Sequence, residues 1–330
     1  MEFTTSGHLV VRITRADVGK RVSVRTLTGA REQSARFTDT VGVLTSWTGG
    51  VLSVARRDGR VVRLAEADLV AGKVVPPTPA RRRGVPAASA RELTLVAARG
   101  WSGPDVEEVG GWLARACGGW TRRANSAVPL GGSRPDLDRL GAWYAARGLP
   151  LALQVTTGAD GSGELLASEF EELGWAAGGH STMRVAALAP LADAAPDDRV
   201  TVDRELTDDW LAGSPRAAEA PEAARSVLAG GQRPLFGVAR AADGRVAGVG
   251  RCVVDGRWAG FAAIRVDPAH RRAGLATALM RELARAALAE GASAAYLQVE
   301  VDNAPARRLY DALGFADHHH YHYRTAPDRA

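Results

Sequence analysis

One order of elements occurs twice in this chain. Residues 137–148 have helical spacing and stop at Gly148, Leu151 to Val155 reads as a strand, and Glu164 to Leu173 reads as a helix stopped by Gly174 and followed by Trp175. The order returns as a helix over 275–290 stopped at Gly291, a strand over Tyr296 to Val299, and a helix over Ala304 to Leu313 stopped by Gly314 and followed by Phe315. Both strands contain Gln-Val. In the longest helix Leu275, Leu279, Leu283 and Ala287 recur on one face. Upstream, Gly118-Gly119, Trp120 and Pro129 correspond to Asp255-Gly256, Trp258 and Pro268. An internal duplication restricts this part of the chain to two copies of one mixed α/β unit.

The chain before the duplication is of another kind. Residues 8–75 read as short strands with hairpin turns at Gly49-Gly50 and Asp58-Gly59, and a helical turn at Glu66 to Asp68 precedes the last strand, Ala71 to Val75. Five strands in so short a span predict a small all-β barrel of the Src-homology-3 or Tudor type. Pro76-Pro77-Thr78-Pro79 and Arg81-Arg82-Arg83 make a stiff, charged linker. Residues 1–83 hold 15 Arg+Lys against 7 Asp+Glu, and the rest 27 against 30. The basic excess is therefore confined to this part, where a solvated surface is the plainer reading than a nucleic-acid interface.

Composition narrows the class further. There are 330 residues, enough for two or three domains. No run of about twenty apolar residues offers a membrane span, and Met1-Glu-Phe-Thr-Thr is unlike a secretory signal. Cys117 and Cys252 are the only cysteines and stand far apart, so no disulfide framework is expected and the reducing cytoplasm is the expected location.

The copies differ where chemistry would sit. In the second, the strand ending Ile264-Arg265-Val266 is stopped by Pro268 and followed by Arg271-Arg272-Ala273-Gly274-Leu275-Ala276-Thr277 at the start of the long helix. First-turn N–H groups lack internal partners and the helix dipole favours an anion there. The equivalent stretch of the first copy, Pro129 to Pro135, has no Arg-x-x-Gly-x-Ala, and Phe170 stands where the second copy has Tyr310. Downstream, Asn303 suits an N-cap and Pro305 a first helical turn. The helical stretch expected over Asp203 to Leu228 breaks at Gly213-Ser214-Pro215 and at Pro221 and would wall a substrate pocket.

Val266-x-Pro268-x-x-Arg271-x-x-Gly274-x-Ala276 resembles the acyl-CoA pyrophosphate loop of GNAT-superfamily N-acetyltransferases. Leu297-x-Val299-x-x-x-Asn303-x-x-Ala306-x-x-Leu309-Tyr310-x-x-x-Gly314-Phe315 resembles their second motif. The resemblance covers roughly residues 90–325. It implies a tandem α+β GNAT fold: a barrel over 1–78, a linker over 79–89, a degenerate GNAT copy over 90–190 and a catalytic copy over 191–330. It also implies acetyl-CoA as co-substrate and acetyl transfer to an amine of a small molecule or protein. Ile264, Arg265 and Val266 would line the acetyl and pantetheine end, and backbone N–H groups from Arg271 through Arg272, Ala273, Gly274, Leu275 and Ala276 to Thr277 would hold the pyrophosphate. Asn303 would bond the CoA arm, Arg308 would lie near its phosphates, and Tyr310 would protonate the departing thiolate. Glu300 is the first candidate for general base, ahead of Asp255 and Asp302.

Three further readings complete the expectation. A non-catalytic acyl-CoA sensor whose basic barrel docks a nucleic acid or protein partner is the alternative to an enzyme. No metal is expected, because His318, His320 and His322 share one face of a strand without a converging element, while His319, Tyr321 and Tyr323 take the other. The polar groups of Thr121 to Ser126 either read substrate in a shared cleft or pair with their own backbone. No membrane partner is expected, nucleic acid is not favoured, and an oligomer is compatible with the chain.

Overall fold

The structure, a computed structural model, describes residues 11–28, 36–56, 60–75, 85–132, 134–159 and 163–327. The turn expected at Asp58-Gly59 and the Pro/Arg linker through Arg83 lie outside the described residues. The chain forms two compact units, one of residues 1–80, 155–177 and 327–330, the other of residues 81–154 and 178–326. Each is described by itself.

The smaller unit contains β1 (Arg21–Thr28), β2 (Arg36–Thr48), β3 (Val51–Ala55), β4 (Val61–Ala65) and β5 (Leu69–Val74), with a 3-10 turn at Glu66–Asp68. They form one antiparallel sheet in the order β4-β3-β2-β1-β5, as the small all-β expectation requires. Alternation puts Val22, Val24, Leu44, Leu52 and Val54 inside, each fully buried. Trp47 closes this core and its Nε1 donates to Glu66 Oε2 at 3.0 Å.

The larger unit contains the duplicated elements. The first copy runs α1 (Ala90–Gly100), β6 (Asp105–Val109), β7 (Trp112–Ala116), β8 (Val128–Pro129), α2 (Leu137–Ala145), β9 (Ala152–Thr157), α3 (Glu164–Glu172) and β10 (Ala176–Ala187), with α3 and the ends of the strands beside it belonging to the smaller unit. Linking elements α4 (Leu188–Ala192), β11 (Val200–Asp203), α5 (Asp208–Ala212), α6 (Pro215–Ala218) and α7 (Pro221–Ala229) follow. The second copy then runs β12 (Arg233–Arg240), β13 (Val246–Asp255), β14 (Trp258–Val266), α8 (Leu275–Ala289), β15 (Ala294–Glu300), α9 (Ala304–Ala312) and β16 (Ala316–Thr325).

Two elements correct or extend the sequence reading. Asp203 ends a strand rather than starting a helix, because Val200 to Asp203 pairs with Phe236 to Ala239; the helices begin after Thr207, whose hydroxyl accepts from Trp210 N. Helix α1 was not anticipated. Ser89 caps it by accepting from Glu92 N at 3.0 Å, a Ser-x-x-Glu signal visible in the sequence.

The main sheet has the order β11-β12-β13-β14-β15-β10-β16-β9. The closing strand of the first copy, β10, therefore lies beside β15 of the second, with Ser181 to Ala187 paired antiparallel to Glu300 to Ala294. The closing strand of the second, β16, stands between β10 and β9. The copies have exchanged their last strands, and one continuous sheet results.

Helix α8 buries Leu275, Leu279, Leu283 and Ala287 against that sheet, the face its spacing predicts. Burying each leucine contributes roughly 1.5–3 kcal/mol. Opposite, Gly260 on β14 leaves room for the Tyr296 ring, and a Cβ there would come within 2.3 Å of it. Gly260→Ala should therefore destabilise the protein by about 1–3 kcal/mol. Urea unfolding followed by intrinsic fluorescence measures this, and an unchanged midpoint would contradict the packing described.

Candidate active site

Strands β14 and β15 run side by side and then part. Trp258 to Phe261 pairs in parallel with Ala294 to Leu297, and the pairing stops there. Beyond this point β14 stays paired only with β13, and its buried run gives way to half-buried and exposed residues. The cause is local. Arg251 opposes Ala262 and Val249 opposes Arg265, so Gly250 alone faces both Ala263 and Ile264, which is a β-bulge. Ala263 takes the left-handed φ of 53° that the bulge imposes. A side chain at Gly250 would meet Ile264 at 2.8 Å.

Ile264, Arg265 and Val266 lie beyond the parting, where β14 offers one free edge. The 3-10 turn Pro268–His270 follows, capped by Asp267, and then the loop of Arg271, Arg272, Ala273 and Gly274, all exposed. Arg272 and Gly274 have φ of 65° and 77°. Gly274 is the N-cap of α8 and supplies no capping side chain, so the first N–H groups, Leu275 to Thr277, point out of the helix unfilled by the protein. Arg199 donates from Nη1 to Ala273 O at 3.1 Å, which pins the loop.

The corresponding end of the first copy is closed. Asp136 caps α2 and accepts from Arg139 N at 3.1 Å, so a carboxylate already occupies the anion position. Phe170, at the position of Tyr310, packs on Trp175 with ring centroids 4.5 Å apart.

Tyr310 and Ile264 both pack on the core cluster that holds Phe261, Leu297 and Phe315, so the second motif meets the parting strands. Burial raises the Tyr310 phenol above its ordinary value, against the opposing charges of Arg123 and Arg184, and keeps it protonated near neutrality. No residue of α9 is fully buried. Leu309 and Leu313 are only half-buried. Asn303 caps α9 by accepting from Ala306 N at 3.2 Å, and Arg308 is exposed.

Glu300 is exposed at the end of β15, on the same face as Tyr296 and Gln298 by strand alternation. Asp302 is exposed in the following turn. Asp255 ends β13, opposite Trp258 at the start of β14, and is bonded to Arg99 Nε at 2.7 Å, away from the loop and engaged by a cation.

The segment Thr121 to Ser126 pairs with its own surroundings in part. Asn125 Oδ1 accepts from Cys117 N at 2.7 Å and Gly119 N at 3.1 Å, and Asn125 Nδ2 donates to Trp120 O and Thr121 O. Thr121 Oγ1 accepts from Trp101 Nε1, and Ser126 Oγ from Arg115.

In β16, His320 Nδ1 meets Thr182 Oγ1 at 3.1 Å and His322 stacks on His180 with centroids 5.1 Å apart, on one face as expected. His318 departs from the alternation, since its Nδ1 approaches that of His319 at 2.8 Å. Arg324 Nε donates to His322 Nε2 at 3.1 Å. Burial, then the charges of Arg324 and His180, pull the His322 pKa down to about 3.

Two parallel strands that part beside an open helix N-terminus give this unit the fold of a GNAT-type acetyltransferase. Residues 87–324 match the family model described as "Probable histone acetyltransferase Rv0428c C-terminal", and the chain belongs to that family. It is 30% identical over 321 residues to "Probable histone acetyltransferase Rv0428c" of Mycobacterium tuberculosis, covering 94% of this chain and 95% of that one. A 120-residue stretch, 33% of this chain and 39% of the relative, is 37% identical to "Mycothiol acetyltransferase" of Clavibacter michiganensis subsp. michiganensis. The fold is that of a GCN5-related N-acetyltransferase from Kribbella flavida, with a TM-score of 0.57 at 18% identity, covering 74% of this chain and 98% of that one. No helix among the described residues is long and apolar enough to cross a membrane.

The low His322 pKa has a consequence for stability. The unfolded state takes up this proton near pH 6.5 and the folded state only near pH 3, so stability present above pH 6.5 is lost as pH falls. His322 alone should remove up to about 1.4 kcal/mol per pH unit below 6.5. Urea midpoints at pH 7.5, 5.5 and 4.5 should show a steeper fall for the wild type than for His322→Phe. Equal slopes would contradict the burial described.

Proposed function

We propose that the second copy transfers the acetyl group of acetyl-CoA directly to an amine. The observation that carries this is the parting of β14 from β15 beside the Gly274-capped start of α8. The residues fit the co-substrate on the structure's own terms. The backbone N–H groups from Arg271 to Thr277, those of Leu275 to Thr277 unfilled by the protein, and the Arg271 and Arg272 side chains would hold a pyrophosphate. The edges of Ile264, Arg265 and Val266 would pair with the amides of the pantetheine arm. Asn303 and Arg308, at the start of and along α9, would contact the same molecule. The first copy, closed by Asp136 and carrying Phe170, would bind none.

Each remaining step belongs to a protein side chain. The amine nitrogen bonds to the acetyl carbon as the carbon–sulfur bond breaks. Tyr310 gives its proton to the departing thiolate, a role its raised pKa serves by keeping the proton in place beforehand. Glu300, at the mouth of the opening, takes the proton lost by the amine, through water where the acceptor holds it away. Cys117 and Cys252 are buried and stand at neither motif, so no covalent acyl-enzyme is invoked.

Tyr310→Phe should lower kcat by roughly 10²–10⁴-fold while leaving the CoA dissociation constant within about threefold. Gly274→Val should do the reverse, weakening CoA binding, because a branched residue at φ 77° costs about 1–2 kcal/mol and shifts the loop from the conformation that presents its N–H groups. Steady-state rates with an amine panel and calorimetric CoA titrations check both. Full activity in Tyr310→Phe would remove the tyrosine from the chemistry.

A further inference from the structure

The face of the opening turned away from Phe261 and Leu297 holds a second feature. Gly260, Ala262, Tyr296 and Gln298 share that face by alternation. With Trp101 and two arginines they line a narrow, half-open pocket that encloses only about 10 Å³. One arginine, Arg251, comes from β13; the other, Arg123, comes from the loop between β7 and β8 of the first copy.

The two cations are held differently. Arg251 donates to the carbonyls of Leu228 at 2.6 Å, Gly100 at 2.8 Å and Gly230 at 2.6 Å, at the C-terminal ends of α7 and α1, where helix dipoles favour a positive charge. Burial nonetheless brings its pKa down to about 10. The neighbouring Arg115, also buried, is spent on Ser126 O and Ser126 Oγ. Arg123 has no such set. Its Nε is closed off from solvent and bonds to nothing, although the residue as a whole is part-exposed. Its guanidinium lies 5.5 Å from the Trp101 ring centroid and bonds the Tyr321 hydroxyl. Among the described residues no carboxylate pairs with it. A buried cation with an unfilled donor is costly, and its planar fork matches a carboxylate.

We propose that Arg123 receives a carboxylate of the acceptor, so that this enzyme acetylates amines that carry a carboxylate near the amino group. The proposal rests on the acetyl-transfer reading above. It gives the first copy a role in the second copy's reaction: it supplies the cation that selects the acceptor. Tyr296 and Trp101 wall the site, and Gln298, between the pocket and Glu300 along β15, is placed to meet the acceptor's polar groups.

The test compares a panel of α-amino acids with their carboxamides as acceptors for the full chain. Wild type should favour the acid by about 10–10²-fold in kcat/KM, the effect of a hydrogen bond to a charged group. Arg123→Gln should bring that ratio near one while keeping carboxamide turnover within about threefold, and Arg123→Lys should restore part of it. Arg123→Met, which replaces the buried charge by an apolar chain, should melt no lower than wild type. Equal use of acid and amide by wild type, or an equal loss for both in Arg123→Gln, would overturn the proposal. Failure of acetyl transfer itself reads out separately. No acceptor would then turn over, while calorimetry with the N-acetylated acid and its amide still reports whether a carboxylate binds through Arg123; no Arg123-dependent preference there overturns the proposal too.

Discussion

The second copy depends on the parting of two parallel strands. A parallel pair has every reason to continue, since each further residue satisfies another N–H and C=O. Here the bulge at Ala263 and Ile264 against Gly250 turns β14 away after Phe261, and two strand edges are left to a ligand. Glycine at 250 and 260 makes this possible, because a Cβ at either would strike Ile264 or Tyr296. On the proposed reading, a pantetheine arm, with its own amides, would offset the cost in unmade pairs.

The rest of the larger unit holds that opening in shape. Helix α8 fastens β12, β13 and β14 through its leucine face and brings its uncapped N-terminus to the end of β14. The exchanged strand β10 backs β15 along seven paired residues, so β15 stays paired through Glu300 although its other neighbour leaves. Arg184 of β10 reaches Asp311 at 2.5 Å and Phe315 O at 2.9 Å, tying the first copy's last strand to the helix that carries Tyr310. The copy whose helix start is capped by Asp136 thus supports the copy whose helix start no side chain caps.

Much of this was legible in the chain. The periodic face of α8, the Asn303 cap and the Gly-aromatic stops are local signals, and each appears where its spacing put it. The loop before α8 was legible because glycine at position 274 answers a local demand for positive φ. The strand exchange was not, since β10 and β16 carry similar half-buried patterns and nothing local says which copy's strand each will join. Val200 to Asp203 is only four residues long and runs into an expected helix, so its pairing with β12 is a tertiary effect. Arg123 was hidden for the same reason: among the many arginines of this chain, only the folded structure shows which one is buried with an unfilled donor. Thr121 to Ser126 was open between cleft and backbone, and the outcome divides it, with Asn125 given to the backbone and Arg123 to the pocket.

One measurement bears most directly on the claim that a single CoA site exists and lies in the second copy. Amide hydrogen exchange of the full chain, with and without CoA, should show new protection across residues 262–277 and 298–310 and none across 127–139. Protection at 127–139 as well would place a second site at α2 despite Asp136, and protection at neither would contradict the assignment of the opening as the cofactor site.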